Sequence, residues 1–153
     1  MKKSFRVIAS VLSPDALISE VLPGFAVGVV SECKFYSGGF NHTYRIKTED
    51  GRVYYLRAYR NQWRTFDDIQ YELDVLNHLK YKGYPAAQPV PYKDGQCYCA
   101  VPAPEGRRYL ALFTEALGQE ISYSREPEQV ARCYGHAVAR MHNALDDFSS
   151  PHP

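Results

Sequence analysis

Two adjacent glycines sit inside Tyr36-Ser37-Gly38-Gly39-Phe40-Asn41-His42-Thr43-Tyr44, between two β-rich runs. The N–H groups of such a turn can cradle phosphate oxygens, although two glycines between strands also make a plain turn. Arg57 lies in Val53 to Tyr59, which reads as a strand, and shares a face with Val53, Tyr55 and Tyr59. Glu72 follows in a helical stretch. At about 100° per residue, Phe66, Ile69, Leu73, Val75, Leu76 and Leu79 form one apolar arc, with Glu72 between Leu76 and Leu79. A carboxylate there loses hydration and needs a cation, and Arg57 is the natural candidate. An Arg–Glu pair would set the guanidinium against phosphate oxygens. The same periodicity also allows Glu72 at the helix boundary, its carboxylate reaching water.

The elements that must position these groups follow from local signals. Ser13-Pro14-Asp15 predicts a capped helix start, with a narrow stripe of Leu17, Ile18, Val21 and Leu22 ending at Pro23-Gly24. Val27 to Phe35, Thr43 to Thr48 and Val53 to Tyr59 read as three strands, the last two joined by an Asp50-Gly51 hairpin turn. Thr65 and Asp68 predict a capping box for a helix over 65–82, closed by Lys82-Gly83. Pro85, Pro89 and Pro91 mark an extended segment. A strand around Gln96–Val101, a loop at 104–106 and a strongly apolar strand, Tyr109 to Phe113, come next. A last helix begins near Pro127, with Val130, Tyr134, Ala137, Val138, Met141 and Leu145 at helical spacing. The expected fold is α+β: a five-stranded antiparallel sheet with one main packed helix, a short N-terminal helix and a C-terminal helix.

Bulk properties narrow the function. The 153 residues carry 18 basic and 17 acidic side chains, a net charge of +1, which argues against nucleic acid as a partner. No apolar run reaches the ~20 residues of a membrane-spanning helix, no signal peptide is evident, and a cytoplasmic location is expected. Cys33, Cys97, Cys99 and Cys133 lack metal-ligand spacing and read as structural thiols, Cys97 and Cys99 sharing a strand face. Cys133 and His136, one helical turn apart, make no metal site alone. His78 reads as a solvated helix residue, and the tyrosines at 54, 55, 59, 71, 81 and 84 as packing residues.

A glycine turn, a strand cation and an inward helix carboxylate occur in that order in the nucleotide-binding half of protein-kinase-like folds. Ser37 to Ile46, Tyr55 to Arg60 and Glu72 to Leu76 resemble the amino-terminal lobe of the aminoglycoside phosphotransferase family, which includes homoserine- and choline-kinase-like relatives. Leu110 to Gly118 is similar to its hinge strand, and Tyr134 to His142 to the helix entering the second lobe. The resemblance covers about Val27 to Phe148. It implies ATP as the nucleotide, with the backbone of Ser37, Gly38, Gly39, Phe40, Asn41, His42 and Thr43 over the β- and γ-phosphates. It further implies Arg57 on the α/β-phosphates and Glu72 pairing with Arg57. Phe113 would stand behind the adenine, and the backbone of Thr114, Glu115 and Ala116 would meet it. Residues 1–117 would form the lobe, and 118–153 the hinge and first helix toward a second lobe.

Two departures qualify the resemblance. Kinase-like folds prefer a small side chain two residues before the cation; Tyr55 there would narrow or block the adenine pocket. The family's His-Gly-Asp loop, and the later aspartate that binds metal, have no counterpart in these residues; His142-Asn143-Ala144-Leu145-Asp146-Asp147 ends a helix and lacks the loop glycine. Mg²⁺ would need residues of the second lobe. No catalytic residue is therefore assigned, and the expectation is a nucleotide-binding lobe, inactive alone, from a truncated or designed chain. Its parent enzyme would phosphorylate a small-molecule hydroxyl. The alternative is a free-standing pseudokinase-like scaffold, acting through a homodimer or a partner that covers the second-lobe face.

Overall fold

The computed structural model describes residues 5–118 and 126–152. Five strands, β1 (Val30–Ser37), β2 (His42–Thr48), β3 (Val53–Ala58), β4 (Cys99–Ala103) and β5 (Gly106–Thr114), form one sheet in the order β1-β2-β3-β5-β4. Every pairing is antiparallel. The Asp-Gly signal makes the β2–β3 hairpin: Gly51 takes φ 85°, which favours glycine, and its N–H donates to the Thr48 carbonyl at 2.9 Å. The extended prolines add a short bridge, Pro89 against Phe113, and the Val90 N–H donates to the Leu112 carbonyl at 2.8 Å.

Strand alternation divides the sheet into two faces. The outer face carries Tyr44, Ile46, Tyr54, Leu56, Ala58, Leu110 and Leu112, all buried. The N-terminal segment covers it. There α1 (Pro14–Ala16) runs on as a π turn, Leu17–Val21, and a 3-10 turn, Leu22–Gly24, burying Leu17, Val21 and Leu22. The expected Ser13 cap is absent as a side-chain bond; only the Ser13 carbonyl takes part, accepting the Leu17 N–H. The inner face receives α2 (Phe66–Tyr81) through Ile69 and Leu73, packed on Tyr59, Ala111 and Phe113. The Thr65–Asp68 capping box forms in full. The other end of the inner face, between β1 and β3, is left open by α2.

α3 (Pro127–Leu145) packs on the far side of α2 and buries none of its residues fully. Its attachment corrects one expectation. His78 is no solvated residue: its side chain is 19% exposed, its Nε2 lies 3.0 Å from the Ala144 carbonyl and 3.1 Å from Asp147, and Phe148 stands edge-on to its ring. Lys82 pairs with the same Asp147 at 2.6 Å, and the Tyr84 hydroxyl donates to the Ala137 carbonyl. Periodicity could not show this, because α2 has helices and sheet on different sides. Cys97 and Cys99 also differ from expectation. Cys97 precedes β4 and packs with the inner cluster, whereas Cys99 packs with the outer one. Cys133 is exposed, neither buried nor half-buried as a structural thiol would be, and of the six tyrosines Tyr81 packs least, at 85% exposure. Among the described residues no helix is long and apolar enough to cross a membrane, and no group of His, Cys, Asp and Glu could hold a metal ion.

Candidate functional site

The open end of the inner face holds a cavity of about 530 Å³. The β1–β2 turn roofs it with Ser37, Gly39, Phe40, Asn41 and Thr43; β3 supplies Arg57; the β3–α2 loop supplies Trp63 and Arg64. Thr43 and Arg57 are cross-strand partners, so register alone places them side by side on this face. The roof is tied to the loop twice. Phe40 meets Trp63 edge-on, ring centroids 5.1 Å apart, and Arg60 donates to the Gly39 carbonyl at 3.4 Å.

Arg57 and Glu72 form an ion pair, so the carboxylate inside the apolar arc turns to the strand cation. The Tyr59 hydroxyl donates to the second Glu72 oxygen at 3.2 Å. The guanidinium lies over the Phe113 ring at 4.9 Å and the Tyr59 ring at 5.8 Å, which orients its plane. Burial works against the charge, but Glu72 and then Tyr59 outweigh it and raise the Arg57 pKa above its ordinary value. Burial, reinforced by Glu72, pushes the Tyr59 phenol far upward, so it remains a donor at any working pH.

Not every residue of the expected site reaches the cavity. Gly38 lies beside Phe35, where a Cβ would come within 3.0 Å of the ring. Gly39 lines the cavity; a Cβ on it would meet no atom of the chain within 4 Å, and its φ is not positive. Neither packing nor backbone conformation demands glycine at 39, which leaves the room above the cavity as the feature a side chain would reduce. His42 keeps only its backbone on the turn. Alternation along β2 sends its ring to the outer face, buried, with Nδ1 unpartnered and Phe35 edge-on to it. Burial first, then Arg108 and Arg60, lowers the His42 pKa below its ordinary value. Phe113 is buried beneath Arg57. The Thr114 N–H donates to the Gln88 carbonyl, and its hydroxyl accepts the Gln88 N–H. Glu115 and Ala116 leave the strand and are exposed. Tyr55 stands on the inner face of β3, partly exposed and edge-on to Tyr36 at 5.5 Å.

Three residues outside the expected set matter. Trp63 and Arg64 close the cavity; their only sequence signal is their place directly before the capping Thr65. Arg108 is wholly buried on the outer face behind the turn. It pairs with Glu105 at 2.8 Å and donates to the carbonyls of Tyr59 (2.6 Å), Ala58 (3.0 Å) and Ser10 (3.0 Å).

A turn-roofed cavity, an Arg–Glu pair across strand and helix, and this strand order define the amino-terminal lobe of a kinase-like phosphotransferase. The model of the phosphotransferase enzyme family matches residues 32–153, and the chain belongs to that family. A Synechocystis protein of uncharacterised function is 36% identical over 95% of this chain and 40% of its own length. A homoserine kinase of Hyphomonas neptunium is 32% identical over 88% of this chain and 39% of its own. Among solved structures, an amicoumacin kinase in complex with AMP-PNP, Ca²⁺ and amicoumacin superposes with a TM-score of 0.70 at 23% identity. That match covers 78% of this chain and 36% of that one. A microcompartment-associated aminopropanol kinase superposes at 0.69 and 20% identity, covering 90% of this chain and 42% of its own. The chain thus spans about two fifths of the curated relatives it matches.

Proposed function

We propose that this chain is the nucleotide-binding lobe of an ATP-dependent phosphotransferase that acts on a small-molecule hydroxyl. The observation that carries the reading is the Arg57–Glu72 pair at a cavity roofed by the 37–43 turn. Glu72 orients a guanidinium that would otherwise swing freely, and the aromatic faces of Phe113 and Tyr59 hold its plane. The Thr43 hydroxyl offers a donor beside Arg57, and the N–H groups of the turn offer others above it. Tyr55 offers a ring to the nucleotide base, and Glu115 and Ala116 offer exposed backbone at its edge. The small-molecule acceptors named for the homoserine kinase and the amicoumacin kinase favour an acceptor of that class here.

Phosphoryl transfer also needs a group that orients the acceptor hydroxyl and carboxylates that hold Mg²⁺. These 153 residues contain no His-Gly-Asp sequence. One positioned base is worth about 10²–10⁴-fold in rate, so the chain by itself binds nucleotide and transfers little. The partly exposed apolar residues of α3 (Val130, Val138 and Met141, with Tyr134 at 67% exposure) favour a face covered by further protein, whether a second lobe or a partner. A cytoplasmic setting, where ATP is abundant, fits the reading. The test is thermal unfolding with increasing ATP. Ligand at about 100 times its Kd stabilises by about 2.7 kcal/mol, and Arg57→Ala should abolish most of the shift. No shift at millimolar ATP in the unaltered chain would sink the proposal.

A further inference from the structure

On the nucleotide reading above, we infer that Arg64 is a second phosphate-binding residue, serving the terminal end of a polyphosphate tail, and that the Phe40–Trp63 ring pair positions it. Two arginines from different elements, Arg57 and Arg64, line one cavity, and none of its described lining residues is acidic. Their charges are not equivalent. Arg57 is directly paired with Glu72, whereas Arg64 meets only the more distant field of Asp68, an exposed carboxylate already held by the Thr65 cap, so Arg64 keeps more of its charge for the cavity. The terminal phosphate of a nucleotide carries more charge than either inner one, which makes the Arg64 side of the cavity the better match for that end.

The ring pair supports the assignment from another direction. Phe40 and Trp63 are 72% and 55% exposed, so core packing does not explain them. They nevertheless meet edge-on at 5.1 Å, and Arg60 reaches the Gly39 carbonyl beside them. Both contacts join the tip of the glycine turn to the loop that carries Arg64. Arg64 is also the last residue before the Thr65 cap of α2, whose two capping hydrogen bonds hold the loop end in place. The loop is anchored by the helix and the turn by the rings, and Arg64 lines the cavity that the two enclose.

ATP, AMP and inorganic tripolyphosphate, titrated by calorimetry into the chain in Mg²⁺-free buffer, test the assignment. Fluorescence of Trp63, the sole tryptophan, follows the ring pair. Arg64→Ala should weaken ATP and tripolyphosphate by about 10- to 100-fold, the range of one charge-assisted hydrogen bond, and AMP by less than about twofold. Arg64→Lys should recover part of the loss. Phe40→Ala should weaken ATP in the same sense and remove the fluorescence change on binding. Arg64→Ala with unchanged ATP affinity, or with equal losses for ATP and AMP, overturns the assignment and leaves the nucleotide reading standing on unaltered-chain binding. Tripolyphosphate held through Arg64 with no binding of ATP keeps Arg64 and removes the nucleotide. Binding of neither overturns both.

Discussion

Replacing Arg108 by methionine tests the buried ion pair that ties the end of β3 to the N-terminal segment. The Arg108 and Glu105 side chains are 0% and 4% exposed, and the guanidinium makes four hydrogen bonds, to Glu105 and to the carbonyls of Tyr59, Ala58 and Ser10. Methionine keeps most of the apolar stem but leaves a buried carboxylate without its cation. Removing one partner of a buried pair costs about 3–5 kcal/mol. For a chain of this size each kcal/mol moves Tm by about 2–4 °C, so the expected fall is about 6–20 °C. Urea unfolding with an unchanged slope measures it directly.

Acid supplies an independent check on the same pair. Burial pushes the Glu105 carboxyl up, but donors from Ser10, its own backbone and Arg108 outweigh it and hold the pKa at about 2, below the usual 4.5. A folded pKa below the unfolded one means stability that is full above pH 4.5 and is lost as pH falls through about 2. Arg108→Met has less of this to lose, so its deficit should be widest near neutrality and narrow toward pH 3. Arg108→Met with Glu105→Leu should recover much of the loss, because no unpaired charge remains. A deficit under about 1 kcal/mol, or one that stays flat from pH 7 to 3, would refute the assignment of a paired, desolvated ion pair.

Other outcomes follow from the inner face. Glu72→Gln should lower ATP affinity about tenfold, as a freed guanidinium loses its orientation, with under about 1 kcal/mol lost in urea unfolding because the pair is only partly buried. Stability loss without loss of affinity would make the pair purely structural. Tyr55→Ala should weaken ATP by about 5- to 100-fold and leave tripolyphosphate unchanged, if the ring stacks on the base. Tighter ATP binding in that variant would show that Tyr55 obstructs the pocket. Burial pushes the Cys33 thiol up to about 11 and the Cys99 thiol up to about 12, while Cys133 is exposed. A thiol reagent at pH 8, read by mass spectrometry, should therefore label Cys133 at once and the other two only on unfolding.

Much of the architecture was legible in the residues because its signals are local. Period-2 alternation, an Asp-Gly turn and a Thr–Asp capping box each act within a few residues, and all three elements formed as read. The Arg57–Glu72 pair was also within reach, because one inward carboxylate in an apolar arc demands a cation and the preceding strand offers one. What needed the tertiary structure was every contact between residues distant in sequence with no mutual pattern. His78 looked solvated until α3 folded back on α2. Cys97 and Cys99 looked co-facial until the strand was seen to begin after Cys97. His42 lay in the phosphate turn by position, yet alternation along β2 turned its ring to the opposite face. Nothing local marks Arg108 for burial; only Glu105 and three carbonyls converging on it make that burial affordable. Trp63 and Arg64 read as loop until the glycine turn was found resting on them. The sequence alone determined the strands, the capped helix and the candidate pair of a strand arginine and an inward helix carboxylate. The fold decided which charges share a cavity, because that depends on where the β1–β2 turn and the β3–α2 loop close over β3.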